Sequence, residues 1–381
     1  MLEENHNFFL KKIILSLISV ININLKIIII KIRTNKKVIF FYHPENNLIS
    51  ISSGYINFFF SNKNNFNIFI GHASTNSNEL SKNYYFINQK FIKLIFGVDF
   101  FMSSYINDIF PINCRKIYLH HDIYDTPLVN KSFEKLIFKK ISKFNFIIVS
   151  SERIKLEFYR KFNKFLEKKI KPKILVTGYL KLQYLYDKKR RYKLKKNSNI
   201  IIAPTNFTVW KKFNLITKLE RIILVLLNKT KYNIYLRFHP SNINHIFAKR
   251  IALKFNDNKR FFLDKSSDYF NSYMNSVCMI TDMSGTAYTY SFTTKKPIIF
   301  FSKNEKKLLQ QSNYKDLDYF KDREKIGIIA NNISEIPYKI YKVLKNKSKI
   351  TKNINKLCKN VYDNKNPPCK KIISIINELS K

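Results

Sequence analysis

Short apolar runs alternate along the whole chain with longer segments of helical periodicity. This alternation is typical of a parallel β-sheet whose strands are joined by crossover helices. In the first half the predicted strands are Val38–Tyr42, Asn67–Ile70, Asp99–Met102, Lys116–His120, Phe146–Ser150 and Ile174–Thr177. The predicted helices of this half are Asn78–Phe96, Lys131–Ser142 and Glu152–Phe165. Together they indicate a doubly wound α/β domain.

The same pattern starts again after a very basic stretch, Lys188–Lys196, which we predict to be an exposed linker or face. The predicted strands of the second half are Ile200–Ala203, Ile234–Phe238, Phe261–Leu263, Val277–Thr281 and Pro297–Phe300. Its predicted helices are Lys211–Leu227, Ile243–Phe255, Ser266–Asn275, Gly285–Phe292, Ile333–Leu344, Asn353–Val361 and Lys370–Leu379. The sequence therefore predicts an α/β protein with two doubly wound, Rossmann-like domains, residues 1–190 and 191–381, the second with C-terminal helices. Ligands of such domains bind at the carboxyl ends of the strands, so we expect the two domains to face a cleft.

The formal net charge is +43, from 69 Lys and Arg against 26 Asp and Glu, and it has two interpretations. One is a polyanionic partner: nucleic acid, anionic lipid or a phosphate-rich polymer. The other is compositional drift, because Lys, Asn, Ile, Phe and Tyr are abundant while Gly and Trp are scarce, as an AT-rich genome imposes. Under either interpretation a basic surface is attracted to anionic lipid, so we expect an anionic membrane surface as a partner.

The residues near the N-terminus, Phe8–Ile32, are rich in Ile and Leu, which raises the question of a membrane span. Lysines and asparagines interrupt the run, no uncharged stretch approaches 18 residues, and no small-residue cleavage site follows. We expect a helix followed by a buried strand, in a cytoplasmic protein that associates peripherally with the inner face of the plasma membrane. The four cysteines lack the close pairing of a metal site and are interpreted as reduced cytosolic thiols, so neither a metal nor a cofactor is predicted.

The segment Ile280–Ala287 (Ile-Thr-Asp-Met-Ser-Gly-Thr-Ala) carries the most distinctive local motif. An apolar strand runs into a small polar turn, and a helical segment follows. The first N–H groups of that helix would form an anion site, with the hydroxyls of Ser284 and Thr286 as further donors. A nucleotide pyrophosphate would fit this site; the alternative is that one of these hydroxyls caps the helix.

Two further motifs follow predicted strands. Arg237 and His239 would share one face of a strand end that Pro240 stops, and a cation beside an imidazole suits phosphate charge. In the first half, His120 and His121 end a strand, and either could be a general base. His43 and His72 also follow apolar runs and give weaker versions of the same signal.

Several short motifs occur in a fixed order from about His120 to Ile328. They are His120/His121 with Thr126-Pro127-Leu128, Ser151-Glu152, Val176–Tyr179, Ala203-Pro204-Thr205, Arg237–Pro240, Thr281–Ser284 and Lys296–Phe300. In this order and spacing the chain resembles the CDP-glycerol glycerophosphotransferases of teichoic-acid and capsule synthesis, within the GT-B superfamily. The resemblance implies a GT-B fold and a transferase that moves glycerol phosphate, or a related polyol phosphate, from a CDP-activated donor to a cell-surface polymer or lipid-linked glycan.

The resemblance also implies roles for particular residues. His239 and either His120 or His121 would be catalytic, and the donor would be held by Arg237, Thr281, Asp282, Ser284, Gly285, Thr286 and Thr205. Residues 122–125 separate the two histidines from Thr126-Pro127, which leaves open which histidine is equivalent to the family's. Gly285 is also typical of other surface-polysaccharide transferases, so a nucleotide-sugar glycosyltransferase stays an alternative. A catalytically dead scaffold is another. A nucleic-acid-binding protein is the alternative of another class, although zinc-finger spacing and an aromatic RNP motif are absent from the sequence.

Overall fold

The computed structural model describes residues 2–44, 48–73, 84–124, 128, 133–166, 171–193, 198–208, 213–266, 268–302, 305–310 and 317–380. The chain forms two compact units. Unit 1 comprises Met1–His121, Ser132–Gln183 and Asn364–Lys381, and unit 2 comprises Asp122–Lys131 and Tyr184–Asp363. Each unit is built on its own parallel sheet. The predicted division of the chain at residues 190 and 191 stays a prediction.

Unit 1 contains a parallel sheet of seven strands. The strands are β1 (Val38–His43), β2 (Asn67–His72), β3 (Tyr84–Phe86), β4 (Phe100–Ser103), β5 (Arg115–Leu119), β6 (Phe146–Val149) and β7 (Lys173–Val176). Their order is β3-β2-β1-β4-β5-β6-β7, so the winding direction reverses between β1 and β4. At such a reversal the loops after two neighbouring strands diverge, which leaves a crevice at their carboxyl ends.

The first helices are α1 (Leu2–Arg33), α2 (Leu48–Ser61), α3 (Glu134–Ile141), α4 (Glu152–Phe165) and α5 (Leu180–Arg190). A 3-10 helix, Gln89–Leu94, lies between β3 and β4. α2 buries Tyr55, Phe58 and Phe59 against the strands of unit 1. It also contains Gly54, where a Cβ would lie 2.6 Å from the Cα of Lys181. The backbones therefore approach closely enough to require a glycine, despite its low helix propensity.

Unit 2 contains a parallel sheet of six strands. The strands are β8 (Asn199–Ala203), β9 (Asn233–Leu236), β10 (Phe261–Leu263), β11 (Ser276–Thr281), β12 (Ile298–Phe301) and β13 (Gly327–Ala330). Their order is β10-β9-β8-β11-β12-β13, and the reversal falls between β8 and β11. The strands β8, β9 and β11 pack with two of the helices named next, α6 and α13, in one apolar core.

The helices of this unit are α6 (Leu219–Lys229), α7 (Ile246–Phe255), α8 (Phe270–Met274), α9 (Thr286–Thr294), α10 (Glu305–Gln310), α11 (Asp318–Lys321), α12 (Arg323–Ile326), α13 (Ile336–Lys345) and α14 (Lys347–Cys358). Short 3-10 helices are Ile216–Lys218, Pro240–Asn242 and Ile333–Glu335. The last helix, α15 (Pro368–Glu378), belongs to unit 1 and buries Ile372 and Ile376 in the core of that unit. The expected C-terminal helices are thus present.

The predicted strands all form, with ends that differ by one or two residues. The predicted helix Asn78–Phe96 is wrong where the structure describes it, because Tyr84–Phe86 is a strand and only Gln89–Leu94 is a 3-10 helix. Three adjacent aromatic residues favour a strand, and Asn88 starts the 3-10 helix by accepting a hydrogen bond from the N–H of Lys90. The predicted linker begins too early, since Lys188 to Arg190 form the last turn of α5. Residues 78–83, 131–132, 194–197 and 211–212 of these predictions lie outside the described residues.

The expected helix near the N-terminus, followed by a buried strand, is confirmed by α1 and β1. From Phe9 to Arg33, α1 is long and apolar enough to cross a membrane by length and composition. It buries a narrow stripe made by Ser16, Val20, Ile23 and Ile27. Large apolar side chains are exposed on the rest of the helix: Phe9, Leu10, Ile14, Leu15, Leu17, Ile18, Ile21, Leu25, Ile28, Ile29 and Ile32.

Candidate functional site

The predicted site residues lie at the carboxyl ends of strands in both units. In unit 2, Thr205 follows β8, Arg237 and His239 follow β9, and Asp282 follows β11. In unit 1, His120 and His121 follow β5. The strands β8 and β11 flank the winding reversal of their sheet, where doubly wound folds bind ligands.

Asp282 is fully buried and accepts hydrogen bonds from two backbone N–H groups. Its Oδ1 accepts from Thr205 at 3.0 Å and its Oδ2 accepts from Leu215 at 2.8 Å. The preceding residue, Thr281, donates its hydroxyl to the carbonyl of Ala203 at 2.5 Å. The end of β11 is thereby fastened to the loop that follows β8. Thr205 and Asp282, which stand in separate motifs of the sequence, are in direct contact.

Burial raises the pKa of Asp282 to about 6, although the backbone N–H groups that it binds act in the opposite direction. A carboxylate whose two oxygens are both used by the backbone is a fastening group. Both oxygens of Asp282 are therefore occupied by backbone hydrogen bonds, which leaves little capacity to bind a ligand. Its predicted contact with the donor stays a prediction.

The start of α9 holds the three small residues of the same motif. The N–H of Thr286 lies 3.4 Å from Ser284 Oγ, and the N–H of Ala287 lies 3.2 Å from the Ser284 carbonyl. The first of these is long for a hydrogen bond, so it is weak. The Thr286 hydroxyl bonds to the hydroxyl of Tyr273. Ser284 thus caps the helix loosely while remaining half-buried, and this loose cap is one that an anion could replace.

Arg237 is anchored in an ion pair. Its Nη1 donates to Asp264 Oδ2 at 2.9 Å and to the Ser266 carbonyl at 2.9 Å, and the side chain is only 11% exposed. The guanidinium also lies over the ring of Tyr269, 5.7 Å from its centroid. Burial would raise the pKa of Asp264, but Arg237 and two neighbouring hydroxyls lower it overall. The Arg237 guanidinium is thus held in place and paired with a carboxylate, and its predicted contact with the donor stays a prediction.

His239 is half-buried and begins the 3-10 helix after β9. Its Nδ1 accepts hydrogen bonds from the N–H of Ser241 at 3.3 Å and from the Ser241 hydroxyl at 3.0 Å. A backbone N–H can only donate, so Nδ1 carries no proton and the neutral ring holds its proton on Nε2. Burial lowers the pKa of His239, and the nearby carboxylate of Asp122 opposes that shift. Nε2–H is therefore the donor that this ring can offer a ligand.

The two adjacent histidines, His120 and His121, have different surroundings in the structure. His120 is 2% exposed and lies edge-to-face against Phe158, with 5.4 Å between ring centroids. Its backbone extends the sheet, since its N–H donates to the carbonyl of Ile148 at 2.9 Å and its carbonyl accepts from the hydroxyl of Tyr55. This histidine is part of the packed interior of unit 1.

His121 is half-buried, and its Nδ1 lies 2.7 Å from the carbonyl oxygen of Ser104. Because a carbonyl can only accept, Nδ1 carries the proton and Nε2 is the basic nitrogen of the neutral ring. The ring of Tyr105 stacks on it in parallel, with 5.6 Å between centroids and 7° between planes. His121 therefore has the tautomer that a general base at Nε2 requires.

The structure also brings together two buried residues, His43 and Ser52, of which the sequence indicated only His43. His43 ends β1, and its Nδ1 lies 2.9 Å from the hydroxyl of Ser52 on α2. The Ser52 hydroxyl lies 2.9 Å from that of Ser104. His43 gave a weak signal in the sequence, whereas Ser52 gave none because α2 was not predicted. Across the described residues, no group of three His, Cys, Asp or Glu side chains could hold a metal ion.

Two α/β units, each with a parallel β-sheet and polar turns at the carboxyl ends of its strands, define a GT-B fold, as predicted. Solved structures agree. A structure of the wall teichoic acid polymerase TagF matches with a TM-score of 0.60 and 18% identity, over 97% of each chain. A histidine variant of TagF soaked with CDPG matches at 0.60 and 16%, over 91% of this chain and 89% of that one. MnaA of S. aureus with UDP matches at 0.59 and 11%, over 90% of this chain and 96% of that one.

Residues 118–367 match the model of the family described as CDP-glycerol:poly(glycerophosphate) glycerophosphotransferase. The match spans more than half of the chain, so the chain belongs to this family, and the resemblance drawn from its motifs is confirmed. The protein is a transferase of the glycerophosphotransferase type. No curated protein matches the chain.

Because Asp282 joins two backbone segments through its hydrogen bonds, the substitution Asp282→Asn should lower the stability of the folded protein. An amide can accept from one of the two backbone N–H groups but turns its own NH₂ toward the other, leaving a buried donor without a partner. We expect a loss of about 1–3 kcal/mol in the free energy of unfolding, measured by urea denaturation. The exposed carboxylate of Asp257 provides the control, and Asp257→Asn should change stability by no more than about 0.5 kcal/mol.

The difference in the free energy of unfolding between wild type and Asp282→Asn should depend on pH, and this dependence tests the environment of the Asp282 carboxylate. The pKa of Asp282 is raised from 3.8 to about 6 in the folded protein, so the folded state binds more protons than the unfolded state between these values. The contribution of this group to stability is therefore full below pH 3.8 and is lost as the pH rises through 6. The stability advantage of wild type over Asp282→Asn should shrink over that window; an advantage that grows with pH would contradict it.

Proposed function

We propose that this protein transfers glycerol phosphate, or a related polyol phosphate, from a CDP-activated donor to a hydroxyl of a cell-surface polymer or lipid-linked glycan. The observation that carries the proposal is the family match over residues 118–367, which contains both the Arg-x-His-Pro and the Thr-Asp-x-Ser motifs. These motifs lie at the carboxyl ends of β9 and β11 in unit 2. The histidine variant of TagF soaked with CDPG supports the choice of donor.

Unit 2 would hold the nucleotide end of the donor. The loosely capped start of α9, with Ser284, Gly285 and Thr286, presents backbone N–H groups suited to phosphate oxygens. The Nε2–H of His239 is a further donor, and a hydrogen bond to a phosphate strengthens as that phosphate gains charge. Arg237 lies two residues before His239, and its hydrogen bonds to Asp264 and the Ser266 carbonyl are made within the protein. Its contact with the donor would need an atom of the donor that reaches the part of the guanidinium that these bonds leave exposed.

The transfer itself would use His121 as the general base. Its Nε2 takes the proton of the acceptor hydroxyl as the oxygen attacks the glycerol-bearing phosphorus. The new O–P bond forms while the bond from this phosphorus to the bridging oxygen breaks, and CMP leaves with the negative charge that His239 stabilises. Phosphoryl transfer requires mainly positioning of the reactants and stabilisation of charge, which His121 and His239 would supply. The burial of His120, which is only 2% exposed, favours His121 over His120 for this role.

The second candidate function is a nucleotide-sugar glycosyltransferase. Two observations favour it: Gly285 after Ser284, and the similarity of the fold to MnaA of S. aureus in its UDP structure. The same phosphate site would then hold a nucleoside diphosphate, and the transferred group would be a sugar. The two functions differ in the donor that is turned over and in the atom that the acceptor attacks, which is phosphorus in one and the anomeric carbon of the sugar in the other.

The donor test compares CDP-glycerol, CDP-ribitol, and UDP- and CMP-sugars, each with wild type and His239→Ala. We expect the fastest turnover with a CDP-polyol. A charge-assisted hydrogen bond contributes about 1.5–3 kcal/mol, so His239→Ala should lower kcat by about ten- to a few-hundred-fold and change KM for the donor less. Ser284→Ala should cost less, because the backbone N–H groups of α9 remain. Exclusive turnover of a nucleotide sugar would contradict the proposal, and unchanged kcat in folded His239→Ala would remove His239 from the site.

We also propose that α1 lies in the surface of an anionic membrane on the cytoplasmic side. Polar contacts hold the helix against the rest of unit 1, among them Ser16, which accepts from the N–H of Asn88 at 3.0 Å, Asn24, which donates to the Leu94 carbonyl at 3.0 Å, and Lys31, which pairs with Asp99 at 2.7 Å. Because these contacts hold α1 along its length, its opposite face points away from the rest of unit 1. Apolar side chains on that face and the surrounding lysines are typical of an interfacial helix.

Vesicle flotation tests this placement. We expect binding to vesicles that contain phosphatidylglycerol and weaker binding at high salt, because the Debye length is only about 8 Å at physiological ionic strength. The double change Ile18→Glu and Ile21→Glu, at positions 57% and 59% exposed, should reduce binding further. Leu253→Glu, at an exposed apolar position of unit 2, is the control and should not. Retention on neutral vesicles at high salt would show that charge is not the cause.

A further inference from the structure

A chain of buried polar groups in unit 1 leads from the end of β1 to the carbonyl that holds His121. His43, Ser52 and Ser104 are all completely buried. His43 Nδ1 lies 2.9 Å from Ser52 Oγ, and Ser52 Oγ lies 2.9 Å from Ser104 Oγ. The carbonyl of Ser104 then accepts the Nδ1–H of His121 at 2.7 Å. Three elements of the unit, β1, α2 and the loop after β4, thus converge on the ring of one histidine.

His43 is neutral in this position. Burial, followed by the nearby rings of His121 and His72, lowers the pKa of His43 to about 3. A neutral imidazole can serve as acceptor or donor at Nδ1, so it can complete a chain of two hydroxyls in either direction. Across the described residues, His43 Nε2 is buried and has no hydrogen-bond partner.

A buried nitrogen without a partner costs free energy, which an apolar ring at the same position would avoid. Packing alone therefore does not explain a histidine at the end of β1. The bond from Nδ1 to Ser52 is what an apolar ring would lack. That bond lies at the head of the chain that ends on His121.

Other contacts also restrain the loop after β4. Ser103 donates its hydroxyl to the carbonyl of Tyr42 at 2.9 Å and accepts from Asn107 at 2.7 Å. Tyr105 contacts both histidines, edge-to-face with His43 at 4.8 Å and stacked on His121 at 5.6 Å. The hydrogen bond from Ser52 to the Ser104 hydroxyl adds a restraint on the residue whose carbonyl holds His121.

We propose that His43 is a positioning residue, which acts through Ser52 and Ser104 to hold His121 in the orientation and tautomer of a general base. This role rests on the proposed function of His121. His43 lies outside the residues that match the family model, and it has no contact with substrate in this role. The competing explanation is that the chain only satisfies two buried hydroxyls and contributes stability alone.

Turnover of the CDP-polyol donor by His43→Phe separates the two explanations. Phenylalanine keeps the ring and removes Nδ1, so we expect kcat to fall by roughly 10- to 100-fold, as for a misplaced catalytic group, with KM for the donor unchanged. His43→Asn, whose amide nitrogen can donate to Ser52, should recover much of the loss. His72→Phe is the matched control, because His72 is a buried histidine at the end of the neighbouring strand β2 and should keep wild-type kcat.

A double-mutant cycle shows whether the effect passes through His121. In the background of His121→Ala, the change His43→Phe should cost no further turnover. Full turnover by His121→Ala would overturn the proposed function itself. Impaired His121→Ala together with wild-type turnover by His43→Phe, or additive losses, would overturn only the positioning role. If His43→Phe does not fold, Ser52→Ala, which removes one hydroxyl, carries the same test with the same outcomes.

Discussion

The buried carboxylate of Asp282 is the group on which the proposed donor site depends. It accepts from the backbone of Thr205 and of Leu215, and so joins the end of β11 to the loop after β8. These strands flank the winding reversal of the unit 2 sheet, where the backbone must diverge to leave a crevice. Burial makes a charged group costly in that place, and the hydrogen bonds to both of its oxygens offset part of that cost. The start of α9 follows this anchored point directly.

The two proposed catalytic histidines are set by their protein partners in opposite ways. A backbone N–H fixes Nδ1 of His239 as an acceptor, and a backbone carbonyl fixes Nδ1 of His121 as a donor. One ring is left with a proton on Nε2 and the other with a lone pair. Stabilising a leaving phosphate needs the first form, and removing a proton from a hydroxyl needs the second. The different roles proposed for the two histidines thus follow from their hydrogen bonds to the backbone.

The strands and the polar turns after them could be predicted because a parallel strand buried on both faces is a continuous apolar run. α2 could not be, since its first residues alternate apolar and polar as a strand does, and burial of Tyr55, Phe58 and Phe59 decides the outcome. β13 begins at a glycine and has only four residues. Pairs such as Arg237 with Asp264, 27 positions apart, depend on the tertiary fold and leave no local pattern. The same holds for the contact between His43 and Ser52, and for the choice between His120 and His121.

The most direct test of this account is the protonation of the two imidazoles in the folded protein. ¹⁵N NMR of protein labelled at its seven histidines, assigned with His121→Ala and His239→Ala, distinguishes the tautomers by the shifts of Nδ1 and Nε2. At a pH where the rings are neutral, we expect a proton on Nδ1 of His121 and on Nε2 of His239. The reverse assignment at either ring would contradict the role given to that residue.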